Sequence, residues 1–339
     1  MCLIASSVKF RIIVLIPSSL STRIESREAQ TLRGYNILLL KPKIFLIVFT
    51  LFVGIGTLTL SSSWTTFPER TLNKLPHGLK KSVTLKIITY NVKNIMVVSG
   101  HRPERMHAIG KRLCILDPDL VGFQESFVEE ARHVLINELE KGSRLKYHQY
   151  YPSRMVGSGL LVSSAFPIRE ASFHQYEDSN PSHKVWEGDY WAGKGVALAR
   201  IELPESNGYV DFFNTHTQAG YGEPEYKIVR ESQVQGLIKF MNKSRENLAP
   251  AFLVGDMNCG PGEDAFELAI KDDHLLRIMK IDSGRDHIFA IKNSHYSIKV
   301  LDTIRIDGVI IIDKEPIPLS DHSGYMTTVQ ISPQTEQAS

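Results

Sequence analysis

Between residues 83 and 331 the sequence consists mostly of short β-rich runs, and many neighbouring runs have no helix between them. Helical spacing is found in three stretches, Pro103–Leu116, Val128–Lys141 and Glu225–Asn242. The runs that predict strands are Val83–Tyr90, Leu120–Gln124, Gly159–Ser163, Gly195–Ile201, Tyr209–Thr215, Ala251–Val254, His287–Ile291, Val309–Ile312 and Tyr325–Ile331. A single doubly wound parallel sheet needs strands and helices in strict alternation. This order instead predicts two packed mixed β-sheets with helices on the outside.

The composition limits the class of protein. The chain has 339 residues, enough for one large α/β domain or two smaller ones. Hydrophobic residues make up 42% and charged residues 22%, which excludes disordered, collagen-like and multispanning membrane proteins. The net charge of +2 argues against a protein that tracks a nucleic-acid backbone. Cys2, Cys114 and Cys259 are too few for a disulfide framework or a cysteine zinc site, although one Cys114–Cys259 bridge stays open.

An uncharged apolar run, Ile44–Leu60, precedes the β-rich region, and with Ile37–Leu40 it is long enough to cross a bilayer of about 30 Å. Cations outnumber acids before it, so the positive-inside rule keeps the N-terminus in the cytoplasm and exports the rest. The segment is either a signal peptide cut near Ser61–Ser63 or an uncleaved anchor; the bland alternative is a buried core helix. The expected organisation is a leader or overextended start (1–36), a membrane or signal segment (37–60), a linker (61–82), the main domain (83–331) and a tail (332–339).

Polar residues recur at the ends of the predicted strands of the main domain. They are Asn91, Glu125, His216, Asp256, Asn258, Asp286, Asp321 and His322. Each one alone is explained as a turn former, a helix cap or a solvated loop residue. Side chains at strand ends point into the crevice above a sheet, where ligands tend to bind. Together they therefore predict one shared site.

The residue types in this set indicate metal-assisted chemistry. Carboxylate and amide oxygens favour Mg²⁺, Mn²⁺ or Ca²⁺ over zinc, and neither a cysteine cluster nor an HExxH motif is present. His322 is the best candidate for a general base that takes a proton from an attacking water, because an imidazole titrates near neutrality. A carboxylate at its other ring nitrogen would fix the tautomer.

The motifs TYNVKN, GFQES, NTHTQ, GDMN, RDHIF and LSDH, in this order, resemble the endonuclease/exonuclease/phosphatase superfamily over residues 83–331. Within it, GSGLLVSSAFPI (157–168), WEGDYWAGKGVALARI (186–201) and NTHTQAGYG (214–222) are most similar to neutral sphingomyelinases. The resemblance implies a DNase I-like four-layer α/β sandwich, two packed mixed β-sheets flanked by helices. It also implies a metal-dependent phosphodiesterase, first of all one that converts sphingomyelin and water to ceramide and phosphocholine. The alternatives are an exported nuclease, a phosphoinositide or other phospholipid phosphoesterase, and a membrane-tethered binding module without activity.

The resemblance also assigns the metal and the acid that partners the base. It implies that Glu125 binds the essential metal, first of all Mg²⁺, with help from Asn91. It places an aspartate next to His322, and two residues compete for this role. Asp286 leaves room for a further strand before LSDH, whereas Asp307 has the more usual Arg-Ile-Asp lead-in. Asp286 is the favoured partner.

The remaining catalytic roles follow from the same resemblance. Asp256 and Asn258 are expected to hold the nucleophilic water and a phosphoryl oxygen. Asp321 faces the metal or supports the histidine. His216 donates to the phosphoryl oxygen and stabilises its growing negative charge.

Four further residues are candidates for substrate binding. Gln218 extends the donor set if the strand pleat continues past His216. Lys194, between two glycines, is expected to meet the phosphate, or else to be a solvated loop lysine. Tyr190 and Trp191 could cup a quaternary ammonium head group, lie at a membrane interface, or only cover the sheet edge. The expected partner is a membrane phospholipid and not a nucleic acid, with the catalytic domain on the non-cytoplasmic side or secreted.

Overall fold

The computed structural model describes residues 78–96, 99–153, 156–178, 193–220, 224–271 and 275–334, and the backbone of residues 14–16, 31–32 and 35–38. The chain divides into two compact units, Met1–Glu69 and Arg70–Ser339. The first unit contains a small antiparallel sheet of β1 (Val14–Ile16), β2 (Thr31–Leu32) and β3 (Tyr35–Leu38), with β3 in the middle. Short strands therefore lie in the leader, for which no strand was predicted.

Most of the predicted membrane or signal segment 37–60 lies outside the described residues. Only Ile37 and Leu38 are described, and they form the end of β3. The first part of the predicted linker, residues 61–77, and the last residues of the tail, 335–339, also lie outside. Among the helices that the structure describes, none is both long and apolar enough to cross a membrane.

The described part of the second unit contains fourteen strands and four α-helices, with a short 3₁₀ turn at Pro204–Ser206. The strands are β4 (Val83–Asn94), β5 (Leu120–Ser126), β6 (Tyr147–Tyr150), β7 (Leu161–Ser164), β8 (Ile168–Gln175), β9 (Gly195–Glu202), β10 (Tyr209–His216), β11 (Ala251–Asp256), β12 (Leu275–Arg277), β13 (Asp286–Ile291), β14 (Tyr296–Ile306), β15 (Val309–Ile312), β16 (Glu315–Pro318) and β17 (Gly324–Pro333). The helices are α1 (Arg102–Leu116), α2 (Glu129–Gly142), α3 (Glu225–Ser244) and α4 (Asp264–Lys271).

Twelve of these strands form two six-stranded sheets, each of mixed direction. The first sheet has the order β14-β17-β4-β5-β7-β6 and the second has the order β12-β13-β11-β10-β9-β8. Each sheet contains one parallel pair, β4 with β5 and β10 with β11. A parallel pair needs a long crossover, and α1 and α3 lie in these two connections. The other pairs within the sheets are antiparallel, which confirms the predicted mixed sheets.

In the central strands, alternate residues face different layers, so both sides of the sheets are buried there. In β4, Ile87 belongs to the central core between the sheets, whereas Ile88 packs on the outer side against Leu113 of α1. On the second sheet, Phe212 faces the central core and Phe213 faces the outer cluster with Val234 of α3. The domain is therefore a four-layer sandwich of helices, sheet, sheet and helices.

Every strand predicted within residues 83–331 is present, but β6, β8, α4, β12, β14 and β16 were not predicted. The longest of these is β14, an edge strand with one exposed face and a bulge between Val300 and Asp302. Because the bulge shifts the alternation by one residue, the period-2 pattern is lost halfway. Cys114 and Cys259 are free thiols, so the Cys114–Cys259 bridge is ruled out.

Candidate active site

The predicted polar residues lie at or next to the ends of central strands, and these strand ends are on the same side of the two packed sheets. In the second sheet, His216 lies opposite Asp256, and Asp256 lies opposite Asp286. In the first sheet, Asn91 lies opposite Gln124 on the parallel strand β5. The central core fills the space between the two sheets.

Two clusters of ionisable side chains share Asp256. Glu125, His216 and Asp256 form one, and Asp256, Asp286 and His322 form the other; in each, the ligand atoms all lie within 4.8 Å of one another. Residues as far apart in sequence as Glu125 and His322 thus meet around a single buried carboxylate, which is 1% exposed.

His322 is held by the carboxylate of Asp286. Its Nδ1 lies 2.9 Å from Oδ2 of Asp286, and its Nε2 lies 3.7 Å from Oδ2 of Asp256. Burial lowers the pKa of His322, but the hydrogen bond to Asp286 and the charges of both carboxylates outweigh it and raise this pKa to about 9. Burial also raises the pKa of Asp286, to about 6. The imidazole is thus oriented with Nε2 toward the shared carboxylate.

Asp307, the competing partner of His322, is occupied elsewhere. It is exposed, accepts a hydrogen bond from Oγ of Ser323 at 2.5 Å and pairs with Nε of Arg305 at 2.7 Å. Strand β14 lies between Asp286 and Asp307 in the chain. It is the further strand before LSDH for which the choice of Asp286 leaves room. Of the two aspartates, the geometry therefore places Asp286 at the imidazole.

Asn91 links the carboxylate of Glu125 to the carboxylate of Asp256. Its Nδ2 donates to Oε1 of Glu125 and to Oδ2 of Asp256, each at 3.0 Å. Burial raises the pKa of Glu125, and the charges of Asp256 and Asp321 add to this effect. Burial would also raise the pKa of Asp256, but the neighbouring His216 and His322 outweigh it and hold that pKa below its usual value.

Lys194 points into the site and is 4% exposed, so the reading as a solvated loop lysine is wrong. Its Nζ lies 2.9 Å from Nε2 of His216 and donates to the backbone oxygen of Thr217 at 2.6 Å. An ammonium group can only donate, so Nε2 of His216 is the acceptor in this arrangement. The predicted donation from His216 to a phosphoryl oxygen stays a prediction. If Nε2 is the donor, it must carry a proton, and it can then no longer accept the hydrogen bond from Lys194.

Asn258 and Gln218 lie in the loops around this lysine. The backbone N–H of Asn258 donates to Oδ1 of Asp256 at 2.9 Å, and its Nδ2 donates to the backbone oxygen of Thr217 at 3.1 Å. Gln218 is fully buried, and its backbone N–H donates to Gln233 of α3 at 2.7 Å. Both residues therefore lie at the second-sheet side of the site.

Asp321 lies at the rim. Its Oδ2 pairs with Nζ of Lys93 at 2.9 Å, and its side chain is 52% exposed. Among the described residues it belongs to neither of the two clusters. Tyr190 and Trp191 lie outside the described residues, so their predicted substrate contacts stay predictions.

Sequence reasoning overlooked two buried amides beneath the site. Nε2 of Gln124 donates to Oδ1 of Asn214 at 2.7 Å, and Nδ2 of Asn214 donates to the backbone oxygen of Phe123 at 2.9 Å. These bonds join the two sheets, which approach so closely at Gly122 that a Cβ there would lie 2.4 Å from Val254. The signal that could have indicated these two residues is an amide within an otherwise apolar run. Such an amide is expected to be buried, and a buried amide needs hydrogen-bond partners.

Comparison with known proteins agrees with this architecture. The model of the "Endonuclease/Exonuclease/phosphatase family" matches residues 88–322. A "Putative neutral sphingomyelinase" of Drosophila melanogaster is 28% identical over 275 residues, which cover 73% of this chain and 61% of that protein. An "Inositol phosphosphingolipids phospholipase C" of Schizosaccharomyces pombe is 31% identical over 190 residues, 54% of this chain and 43% of that protein. The chain thus spans about half the length of the curated relatives it matches.

Solved structures share the fold. A beta toxin of Staphylococcus aureus, crystallised as a double mutant with bound magnesium ions, superposes with a TM-score of 0.57 at 18% identity. The match covers 72% of this chain and 99% of the toxin chain. At this identity the likeness establishes the fold alone.

Proposed function

The chain belongs to the endonuclease/exonuclease/phosphatase family, and we propose that it is a metal-dependent phosphodiesterase that hydrolyses sphingomyelin to ceramide and phosphocholine. One observation carries this proposal: the His322–Asp286 pair and the carboxylate of Glu125 lie around the same buried Asp256. The names of the relatives from D. melanogaster and S. pombe support a sphingophospholipid as the substrate.

The carboxylates of Glu125 and Asp256 fit a hard divalent cation, because they offer oxygen atoms within 4.8 Å of one another. His216 completes this cluster, but its Nε2 is occupied by the hydrogen bond from Lys194. Glu125 is half-buried near further negative charge, and this raises its pKa, so a bound cation would favour its ionised form. Mg²⁺ is the first candidate, and Mn²⁺ or Ca²⁺ would suit the same oxygens. We assign Glu125 as the principal ligand and Asn91 as its helper, with Asp321 at the rim.

When bound, the cation would neutralise charge on a phosphoryl oxygen and on the departing alkoxide. The proton transfer belongs to the chain itself. Nε2 of His322 takes a proton from the attacking water in the neutral form of the ring, which predominates in the metal-free protein only above about pH 9, while Asp286 holds the proton on Nδ1 and stabilises the imidazolium that forms. Asp256 and Asn258 orient the water and a phosphoryl oxygen.

The second-sheet side of the site supplies positive charge and hydrogen-bond donors. The buried ammonium of Lys194 lies beside His216, and together they stabilise negative charge on the phosphoryl oxygens. Gln218 extends this donor set. Because these groups are preorganised by bonds to Thr217 and α3, they require little reorganisation when the charge develops.

A digest of mixed lipids tests the substrate. We expect the protein with Mg²⁺ to release phosphocholine and ceramide from vesicles that contain sphingomyelin, phosphatidylcholine and an inositol phosphosphingolipid, as measured by mass spectrometry. Release of inositol phosphate alone would change the head group but keep the reaction. Nicking of plasmid DNA with all lipids intact would favour the nuclease alternative.

For location, we propose that the chain is exported and either anchored by residues 37–60 or released after cleavage. The support is the uncharged run Ile44–Leu60 and the cations that precede it. Protease protection of membrane vesicles that carry the expressed protein tests this. We expect the domain of residues 83–331 to be protected on the lumenal side.

A further inference from the structure

Arg105, in the first turn of α1, is buried and reaches the backbone of the active site. Its side chain is 3% exposed. All of its hydrogen bonds among the described residues go to main-chain carbonyls: Nε to Gly100, Nη1 to Val92 and Leu319, and Nη2 to Lys93. These distances lie between 2.7 and 3.1 Å. The guanidinium thus joins segments that are more than two hundred residues apart in sequence.

Two of these carbonyls belong to an interruption of the β4–β5 ladder. Asn91 pairs with Gln124 and Asn94 with Ser126, so Val92 and Lys93 together face the single residue Glu125. Backbone groups at such a bulge lack ladder partners and need other donors. Arg105 supplies donors to both bulge carbonyls. It thereby fixes the segment between Asn91 and the strand end, directly opposite the residue we assign to the metal.

The third carbonyl belongs to the segment that carries the general base. Leu319 directly precedes Ser320, whose Oγ donates to the backbone oxygen of Asn91 at 2.7 Å and accepts from the N–H of His322 at 3.3 Å. The segment of residues 91–93 and the segment of residues 319–322 are therefore linked twice, once by Arg105 and once by Ser320. Only a planar group with donors on several sides can reach all these carbonyls at once.

We propose that Arg105 is a positioning residue that sets His322 relative to Asn91 and Glu125 by binding the backbone on both sides of the site. Rate in such a site depends on placement, because an error of about 1 Å can cost about 10²-fold. The proposal rests on the proposed function for its kinetic consequence, whereas its structural consequence does not.

Arg105→Lys is the test, because it keeps the charge but cannot bind four carbonyls. Arg102→Met is the matched control. Arg102 lies in the same helical turn, and among the described residues its Nη1 donates to nearby Ile95, Met96 and Ser99. We expect Arg105→Lys to lower kcat about 10- to 100-fold with KM changed less than about threefold. Hydrogen exchange of residues 319–323 should become about tenfold faster. Arg102→Met should change neither quantity.

The outcomes separate the two levels of the argument. If the wild type hydrolyses no phosphodiester, the proposed function fails, and the exchange of residues 319–323 still decides the inference. A folded Arg105→Lys protein with unchanged exchange at residues 319–323 would overturn it, as would unchanged kcat in an active enzyme. If Arg105→Lys does not fold, nuclear magnetic resonance of the wild type decides instead: we expect slowly exchanging guanidinium protons on Arg105, and rapid exchange would contradict the proposal.

Discussion

Nδ1 of His322 lies 2.9 Å from Oδ2 of Asp286, although β14 and the β15–β16 hairpin separate the two residues in the chain. The other ring nitrogen faces Asp256, which also belongs to the cluster with Glu125 and His216. An imidazole between two carboxylates binds its second proton tightly, so the titration of His322 reports directly on this arrangement.

In the metal-free protein, we expect His322 to titrate near pH 9, as measured by nuclear magnetic resonance of its ring. Asp286→Asn removes the hydrogen-bonded charge and should lower this pKa, whereas Asp307→Asn should leave it unchanged. The folded pKa lies above the unfolded value of about 6.5. The protonated ring therefore stabilises the fold fully below about pH 6.5, and this contribution is lost as the pH rises through about 9. A wild-type pKa near 6.5 would contradict the account.

Removing the carboxylate of Glu125 should weaken metal binding. We expect Glu125→Gln to weaken the binding of Mg²⁺ or Mn²⁺ at least about tenfold in calorimetry, because a neutral amide replaces a charged ligand. The control is Glu129→Gln, an exposed glutamate at the start of α2. Equal affinity of wild type and Glu125→Gln would move the metal away from this residue.

The buried amide pair beneath the site should contribute to stability. We expect Asn214→Leu to lower the free energy of unfolding by about 1–3 kcal/mol, because buried partners of Asn214 are left unsatisfied. Urea denaturation measures this, and Gln330→Leu, at an exposed position on β17, should stay within about 0.5 kcal/mol of the wild type. Equal stability of Asn214→Leu and the wild type would show that the sheets do not depend on this link.

How much the sequence predicts depends on how local the signal is. The buried strand β11 is an apolar run that ends in Asp256, and β10 is a largely apolar run that ends in His216, so both the strands and these two residues could be predicted. The bulged edge strand β14 lacks that pattern. The aspartate that partners His322 also cannot be identified from the local sequence alone. Asp286 and Asp307 each precede a strand, and only the tertiary fold brings one of them to His322.

Residues that act through the backbone are hidden for a different reason. Arg105 is a cation in a helical stretch, and nothing in the sequence around it indicates that Leu319 will accept a hydrogen bond from it. For Lys194, the alternative of a solvated loop lysine is wrong because the side chain is buried beside His216, whereas the expected contact with a phosphate stays a prediction.

The hydrolysis rate of the His322→Ala protein tests the central claim most directly. We expect kcat for phosphocholine release from sphingomyelin with Mg²⁺ to fall about 10²- to 10⁴-fold relative to the wild type, without loss of folding. His295→Ala, at an exposed histidine, should retain full activity. An active wild type whose His322→Ala variant keeps the same kcat would contradict the assignment of this imidazole as the base.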